Sequence, residues 1–309
     1  MKQNLFILGS PRSGTTFLAG LLRPTEYGSP FETQFILKYH DKLNSYGDIT
    51  QLSRLTRLIN DISKERAIAQ WRVKFNPEVV KKALGDEFSY TEFVNYICTQ
   101  LMKKKGKSKW GDKTPHYLLK LNQLVNLYPN AKYLYIVRDG RDVALSLLKK
   151  PWGPNNIYKC AEQWAAANNS EQQLLLNVLK DKGQLLYIKY EELLDKTEQE
   201  CCRIYEFLGD DIENHREIVD ALIAKTMSGN HAKWKTQMTP QQISTFEATA
   251  KNSLLYHDYE VMYPVSQLSA TKVFGYKLHH QLAYFKHMFV MNVIDGLKIK
   301  FLGKQPFNE

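Results

Sequence analysis

Apolar residues follow two rhythms along this chain. Near-continuous or alternating apolar runs occupy residues 4–9, 71–75, 132–138 and 185–189 and predict strands. Between and after them, apolar positions recur at helical spacing and predict helices over 14–22, 89–104, 116–127, 140–149, 157–181, 190–208 and 240–250. Leu118, Leu121, Val125 and Tyr128 form one such face, which Pro129 and Asn130 end. Leu193, Leu194, Ile204, Phe207 and Leu208 form another, running up to Gly209. Strands and helices that alternate up to about residue 210 predict an α/β fold, a parallel central sheet flanked by helices.

Residues 266–309 follow neither rhythm and are expected to form a basic, aromatic C-terminal extension to a main domain of residues 1–265. Lys286, His287, Asp295, Lys298 and Lys300 interrupt its apolar positions, so it does not read as a membrane span. An appended helical segment or a homodimer contact is the expectation. The lysines at 103, 104, 105, 107 and 109 surround Gly106 and read as a solvated loop.

The net charge of +10 suits an anionic partner: nucleic acid, a membrane surface, or a phosphate-rich ligand. No zinc-finger, RRM or basic-helix signature supports nucleic acid. The four cysteines, Cys98, Cys160, Cys201 and Cys202, form no CxxC pair, which argues against a disulfide framework and a zinc site. No metal is expected. A strand beginning at residue 4 leaves no room for a leader, so the expected compartment is cytoplasmic.

Chemistry concentrates in two segments. Gly9-Ser-Pro-Arg12-Ser13-Gly14-Thr15-Thr16 joins the first strand to the first helix, with the glycine spacing of a P-loop. Backbone N–H groups in such a loop wrap phosphate oxygens, and a following helix adds its positive end. Thr15 stands where a triphosphate-binding loop carries lysine, and the positive charge sits on Arg12 instead. That suits a shorter anionic group with no obligatory magnesium; the bland reading is an ordinary strand-turn-helix. In the second segment, Arg138 ends a strand, where ligands of open parallel sheets gather. Ser146 follows a little over two helical turns on. A guanidinium fork with a hydroxyl can clamp a terminal phosphate, although Arg138 and Asp142 could equally be an ion pair capping a helix.

Together, PRSGTTFL at 11–18 and YIVRDGRDVALS at 135–146 resemble the 5′-phosphosulfate loop and 3′-phosphate motif of sulfotransferases that use 3′-phosphoadenosine-5′-phosphosulfate (PAPS). Trp110-Gly-Asp-Lys113-Thr-Pro115, Ala161 with Trp164, Tyr190-Glu-Glu-Leu193, and Gly229 to Lys235 resemble further family elements in the same order. The resemblance covers residues 4–262 and is closest in motif style to the bacterial and tyrosylprotein types.

It implies that Arg12, Ser13, Gly14, Thr15 and Thr16 hold the 5′-phosphosulfate and that Arg138 and Ser146 hold the 3′-phosphate. It places Tyr190 on adenine, with Lys233 and Trp234 closing over the nucleotide. Arg12 and Lys113 would face the developing charge. The base would be Glu32, as in tyrosylprotein and bacterial enzymes, ahead of His116, whose Lys-Thr-Pro-His setting departs from that of the histidine-based branch. The implied reaction sulfates a hydroxyl or amine of a small-molecule (natural-product) or carbohydrate acceptor and releases 3′,5′-bisphosphoadenosine (PAP); a peptide tyrosine also stays open. The alternatives are a P-loop kinase using ATP and a non-catalytic PAP-binding protein.

Overall fold

Four buried apolar residues in a row, Leu5–Leu8, make β1. Parallel sheets are covered on both faces, so their strands read as unbroken apolar runs. In a computed structural model that describes residues 3–65, 68, 71, 73–224, 229–263 and 267–289, β1 lies between the two-residue β2 (Gly111–Asp112) and β3 (Lys132–Val137). β4 (Leu185–Lys189) follows beyond β3, giving the order β2-β1-β3-β4 with every pair parallel. Leu8 pairs with Tyr135, and Val137 with Lys189. The carboxyl ends of the strands therefore share one edge, from which the Gly9–Thr16 loop, Lys113, Arg138 and Tyr190 all depart.

The chain divides into two compact units, Met1–Arg138 with Glu171–Asn230, and Asp139–Ser170 with His231–Glu309. The sheet belongs to the first. Leu5, Ile7, Leu134, Ile136 and Ile188 pack with Leu18 and Leu22 of the helix Thr15–Leu21 region and with Ile204 and Leu208 of the helix Thr197–Leu208. Phe6 and Tyr133, which alternate with these residues along their strands, build an aromatic layer. The Phe6 ring lies 5.0 Å from Tyr128 and 5.8 Å from both Trp110 and Tyr133. The lysine run is not merely solvated. Lys107 donates to the carbonyls of Pro24 and Thr25 at 3.2 and 2.9 Å, and Lys109 pairs with Glu26 at 2.8 Å.

The second unit is built from the helices Gly140–Leu148, Ile157–Ala167, Pro240–Tyr256 and Ala270–Phe289, with a short turn of helix at Trp234–Gln237. Its centre is charged. Arg141, 1% exposed, donates to both carboxylate oxygens of Asp139 at 3.0 and 2.8 Å and to Glu247 at 2.6 Å. Its guanidinium lies 3.5 Å from the centre of the Trp234 ring. Glu247, fully buried, also accepts from the backbone N–H groups of Met262 and Tyr263 at 3.1 and 3.0 Å. The predicted extension is helical over Ala270–Phe289, and its Tyr276 ring stacks on Tyr158 at 5.6 Å.

Several sequence expectations change. Among the described residues of the predicted strand at 71–75, Trp71 sits in a turn and 73–75 form no strand; Val73 and Phe75 are only half-buried. The Trp71 ring instead packs on Phe31 at 4.3 Å, and the sheet edge is taken by β2. The predicted helix 157–181 breaks after Ala167, where the Asn168 side chain bonds the Trp164 carbonyl at 2.7 Å. The helix expected over 190–208 breaks at Lys196, whose backbone leaves the helical region at φ −127°, ψ 44°. The stretch 116–127 opens as 3₁₀ over Pro115–Lys120 before turning α at Leu121.

Removing one member of a buried charge network leaves the others short of a partner and away from water; without Glu247, Arg141 keeps only Asp139 of its two carboxylates. Glu247→Leu is therefore expected to lower the unfolding free energy by about 3–5 kcal/mol, read from urea unfolding followed by tryptophan fluorescence.

Candidate active site

The Gly9–Thr16 loop is shaped by close approaches that only glycine permits. A Cβ at Gly9 would lie 2.6 Å from the Ile136 carbonyl oxygen, and one at Gly14 would lie 2.4 Å from Cδ2 of Tyr190. Gly14 also takes a positive φ of 95°, and Arg12, without glycine's freedom, takes φ 73°. Ser13 is 1% exposed, its N–H bonded to the Ser10 carbonyl at 3.1 Å. Its buried Oγ has no hydrogen-bond partner among the described residues, whereas buried hydroxyls are normally satisfied. An anion seated in the loop would supply the missing acceptor. Thr15 is buried; Arg12 and Thr16 are exposed.

Tyr190 joins this loop to the second motif. Its ring packs over Gly14, and the Arg138 guanidinium lies 4.4 Å from the ring centre. The Gly9–Thr16 loop, the tyrosine and the arginine thus meet at the carboxyl ends of β1, β3 and β4, within the first unit.

Glu32 and Lys113 meet at the end of β2. Lys113 Nζ donates to Glu32 Oε2 at 2.8 Å, and Gln34 Nε2 donates to Oε1 at 3.0 Å. The loop carrying Glu32 is fastened to β2 from beneath. Phe31 forms a parallel bridge with Asp112, the Lys113 N–H donates to the Phe31 carbonyl at 2.8 Å, and the Thr33 N–H donates to Asp112 Oδ2 at 2.9 Å. Thr33 Oγ1 lies 3.0 Å from the Tyr117 hydroxyl, which accepts from the Ile36 N–H at 3.0 Å. Asp112 is fully buried, and burial pushes its carboxyl up to about 6, against the hydrogen bonds from Thr33 and Thr114. His116 is exposed on the 3₁₀ turn, while its neighbours Tyr117 and Leu118 point inward.

The remaining candidates lie in the second unit. Ser146 is half-buried on the helix Gly140–Leu148, and Lys233 is exposed. Trp234, 2% exposed, donates its backbone N–H to Asp142 at 3.0 Å and lays its ring against Arg141. The supporting groups Asp112, Thr33, Gln34 and Tyr117, and the Arg141–Glu247 pair, escaped sequence reasoning. The one available signal was Asp112 inside the Trp110–Pro115 segment. Among the described residues, no group of three or more His, Cys, Asp or Glu could hold a metal ion, and no helix is long and apolar enough to cross a membrane.

A carboxyl that holds its proton to about pH 6 when folded, against an ordinary value of 3.8, opposes folding as it ionises. Its contribution is most favourable below the ordinary value and falls as pH rises through about 6, by about 3 kcal/mol in all. Asp112→Asn is expected to remove this fall. Urea unfolding of the two proteins between acid and neutral pH reads the difference in slope; parallel curves would contradict it.

Comparison with known proteins agrees with this architecture. The model of the family described as "Sulfotransferase family" matches residues 4–214. The "Putative protein-tyrosine sulfotransferase" of Caenorhabditis briggsae is 23% identical over 71% of this chain and 71% of its own length. "Nodulation protein NoeE" of Sinorhizobium fredii is 24% identical over 67% of this chain, which matches 50% of the NoeE sequence. The "Protein-tyrosine sulfotransferase" of Drosophila melanogaster is 22% identical over 70% of this chain, and 40% of that protein is matched. The chain thus spans half or less of these last two relatives. Among solved structures, the sulfotransferase domain from the curacin biosynthetic pathway superposes with a TM-score of 0.53 at 21% identity, covering 85% of this chain and 99% of that domain. The sulfotransferase domain from the Synechococcus PCC 7002 olefin synthase gives 0.54 at 20% identity, covering 85% and 98%. Both share the fold. With the family model spanning well over half the sequence, from β1 past β4, the chain belongs to the sulfotransferase family.

Proposed function

We propose that this sulfotransferase takes its sulfuryl group from PAPS, passes it to a hydroxyl or amine of a small-molecule or carbohydrate acceptor, and releases PAP. The observation that carries the reading is the Gly9–Thr16 cradle. It has a buried, unsatisfied Ser13 hydroxyl and an arginine at its rim, and threonine where a triphosphate loop needs lysine. The missing lysine weighs against the ATP-dependent kinase. The names of the nematode and fly relatives favour a second reading of the acceptor, a tyrosine hydroxyl in a peptide.

When bound, PAPS supplies the sulfuryl group on a phosphate leaving group. By the family resemblance, residues 12–16 would hold its phosphosulfate, Arg138 its 3′-phosphate and Tyr190 its adenine; the same resemblance gives Ser146 a 3′-phosphate role and Lys233 and Trp234 a covering role. Sulfuryl transfer resembles phosphoryl transfer, where positioning and electrostatics dominate. Arg12 and Lys113 stabilise the negative charge that grows on the leaving oxygen. Glu32 takes the acceptor's proton; in support of this reading, Lys113 and Gln34 each hold one of its carboxylate oxygens. His116 is the competing base.

Calorimetry in EDTA is expected to show PAP binding without magnesium and much weaker binding of ATP. Arg138→Ala should weaken PAP by about 2–3 kcal/mol while leaving adenosine 5′-phosphosulfate nearly unchanged. Tight, magnesium-dependent ATP binding would instead establish a kinase.

Turnover can be read by mass spectrometry as SO₃ addition across a panel of sugars, phenols, amines and tyrosine peptides. Glu32→Gln should lower it about 10²-fold or more, with PAP affinity within a few-fold of the parent. His116→Ala should retain most activity; the opposite pattern would make the histidine the base.

A further inference from the structure

The helix Ala270–Phe289 presents two apolar faces, and among the described residues of its unit only one is covered. Tyr276 stacks on Tyr158 with an interplanar angle of 9°, and its carbonyl accepts from Asn156 Nδ2 at 2.9 Å. Val273, His280 and Ala283, at helical spacing from Tyr276, are half-buried on the same side. On the opposite side, Phe274, Leu278, Leu282 and Phe285 are 67%, 42%, 61% and 67% exposed. At 100° per residue these four fall within an arc of about 80°, and they extend about 16 Å along the axis. Scattered exposed apolar residues need no explanation, but an aligned stripe does.

Charge says what covers it. Ala270–Phe289 contains no Asp or Glu; its lysines are Lys272, Lys277 and Lys286. Lys277 and Lys286 flank the stripe on its two sides, where their stems can lie along apolar surface and their ammonium groups reach outward. A second copy of this face would set lysines against lysines, in a chain of net charge +10. A bilayer surface carrying anionic headgroups meets both halves of the pattern, taking Phe and Leu at the acyl boundary and Lys at the phosphates. The helix is too polar to cross a membrane, so it would lie on one.

We propose that Ala270–Phe289 is a membrane-surface helix, which lays Phe274, Leu278, Leu282 and Phe285 into the interface of a bilayer rich in anionic lipid. This inference does not depend on the donor or acceptor of the reaction.

Co-flotation of the full chain with lipid vesicles tests it. The chain should float with vesicles of phosphatidylcholine and phosphatidylserine, float poorly with phosphatidylcholine alone, and be released by raised salt. Changing Phe274, Leu278, Leu282 and Phe285 together to Ser should cut binding at least about tenfold with the melting temperature retained. Should that variant not fold, Lys272→Glu with Lys277→Glu and Lys286→Glu leaves the stripe intact and should abolish the serine-lipid preference. Failure to float with anionic vesicles, or flotation that both variants leave unchanged, would overturn the proposal. So would a dimer in sedimentation velocity that the Ser variant dissociates without any vesicle binding, since the stripe would then be covered by a second copy.

Discussion

One aromatic ring sets the geometry of the Gly9–Thr16 loop. Tyr190 fills the space a side chain at position 14 would need, with its Cδ2 only 2.4 Å from where a Cβ would stand. Because Tyr190 follows β4 and Gly14 follows β1, this contact fixes two strand ends to each other across β3, and Arg138 at the end of β3 lies against the same ring. The loop cannot relax outward without losing the ring, nor inward past Ile136. The positive φ of Arg12 is part of the same constraint: the loop is too tight for every residue to keep ordinary backbone angles.

How much of this was legible depends on whether a contact leaves a local trace. β1, β3 and β4 were readable because burial on both faces demands unbroken apolar sequence. β2 was not, since Gly111 and Asp112 are neither apolar nor long, and their pairing is decided by Leu5 and Phe6, over a hundred positions away. Trp71 to Phe75 alternates as a half-exposed strand would, which misleads in a sheet with no solvent face. The helices fused by periodicity part at Asn168 and Lys196, where a side-chain bond or a backbone angle interrupts a face that periodicity alone would continue. At the site, Gly9, Gly14, Lys113 and Arg138 stood out because each falls in a short motif whose residues are neighbours in sequence. Asp112, Thr33 and Tyr117 did not, because their work is to join segments about eighty residues apart.

The second unit shows the same limit for charge. Spacing alone offered Arg138 with Asp142 as a helix-capping pair; it could not offer the buried pairing of Arg141 with Asp139 and with Glu247, the latter 106 residues away. The planar guanidinium suits this position, with two carboxylates at its edge and the Trp234 indole on its face. A lysine would fill neither the fork nor the stack. One face of Trp234 is committed to Arg141, so any nucleotide contact of that ring must use its other face or its edge.

β2 has a consequence for how the sheet ends. An outer strand normally exposes a row of unpaired amides that can template a strand from another chain. Gly111–Asp112 offers two residues, and the bridge to Phe31, with the Lys113 N–H spent on the Phe31 carbonyl, occupies backbone groups there. On this side the sheet is protected from strand addition by brevity, by its own returning loop and by the inward carboxyl of Asp112. The loop that holds Glu32 in place is also the loop that closes the border.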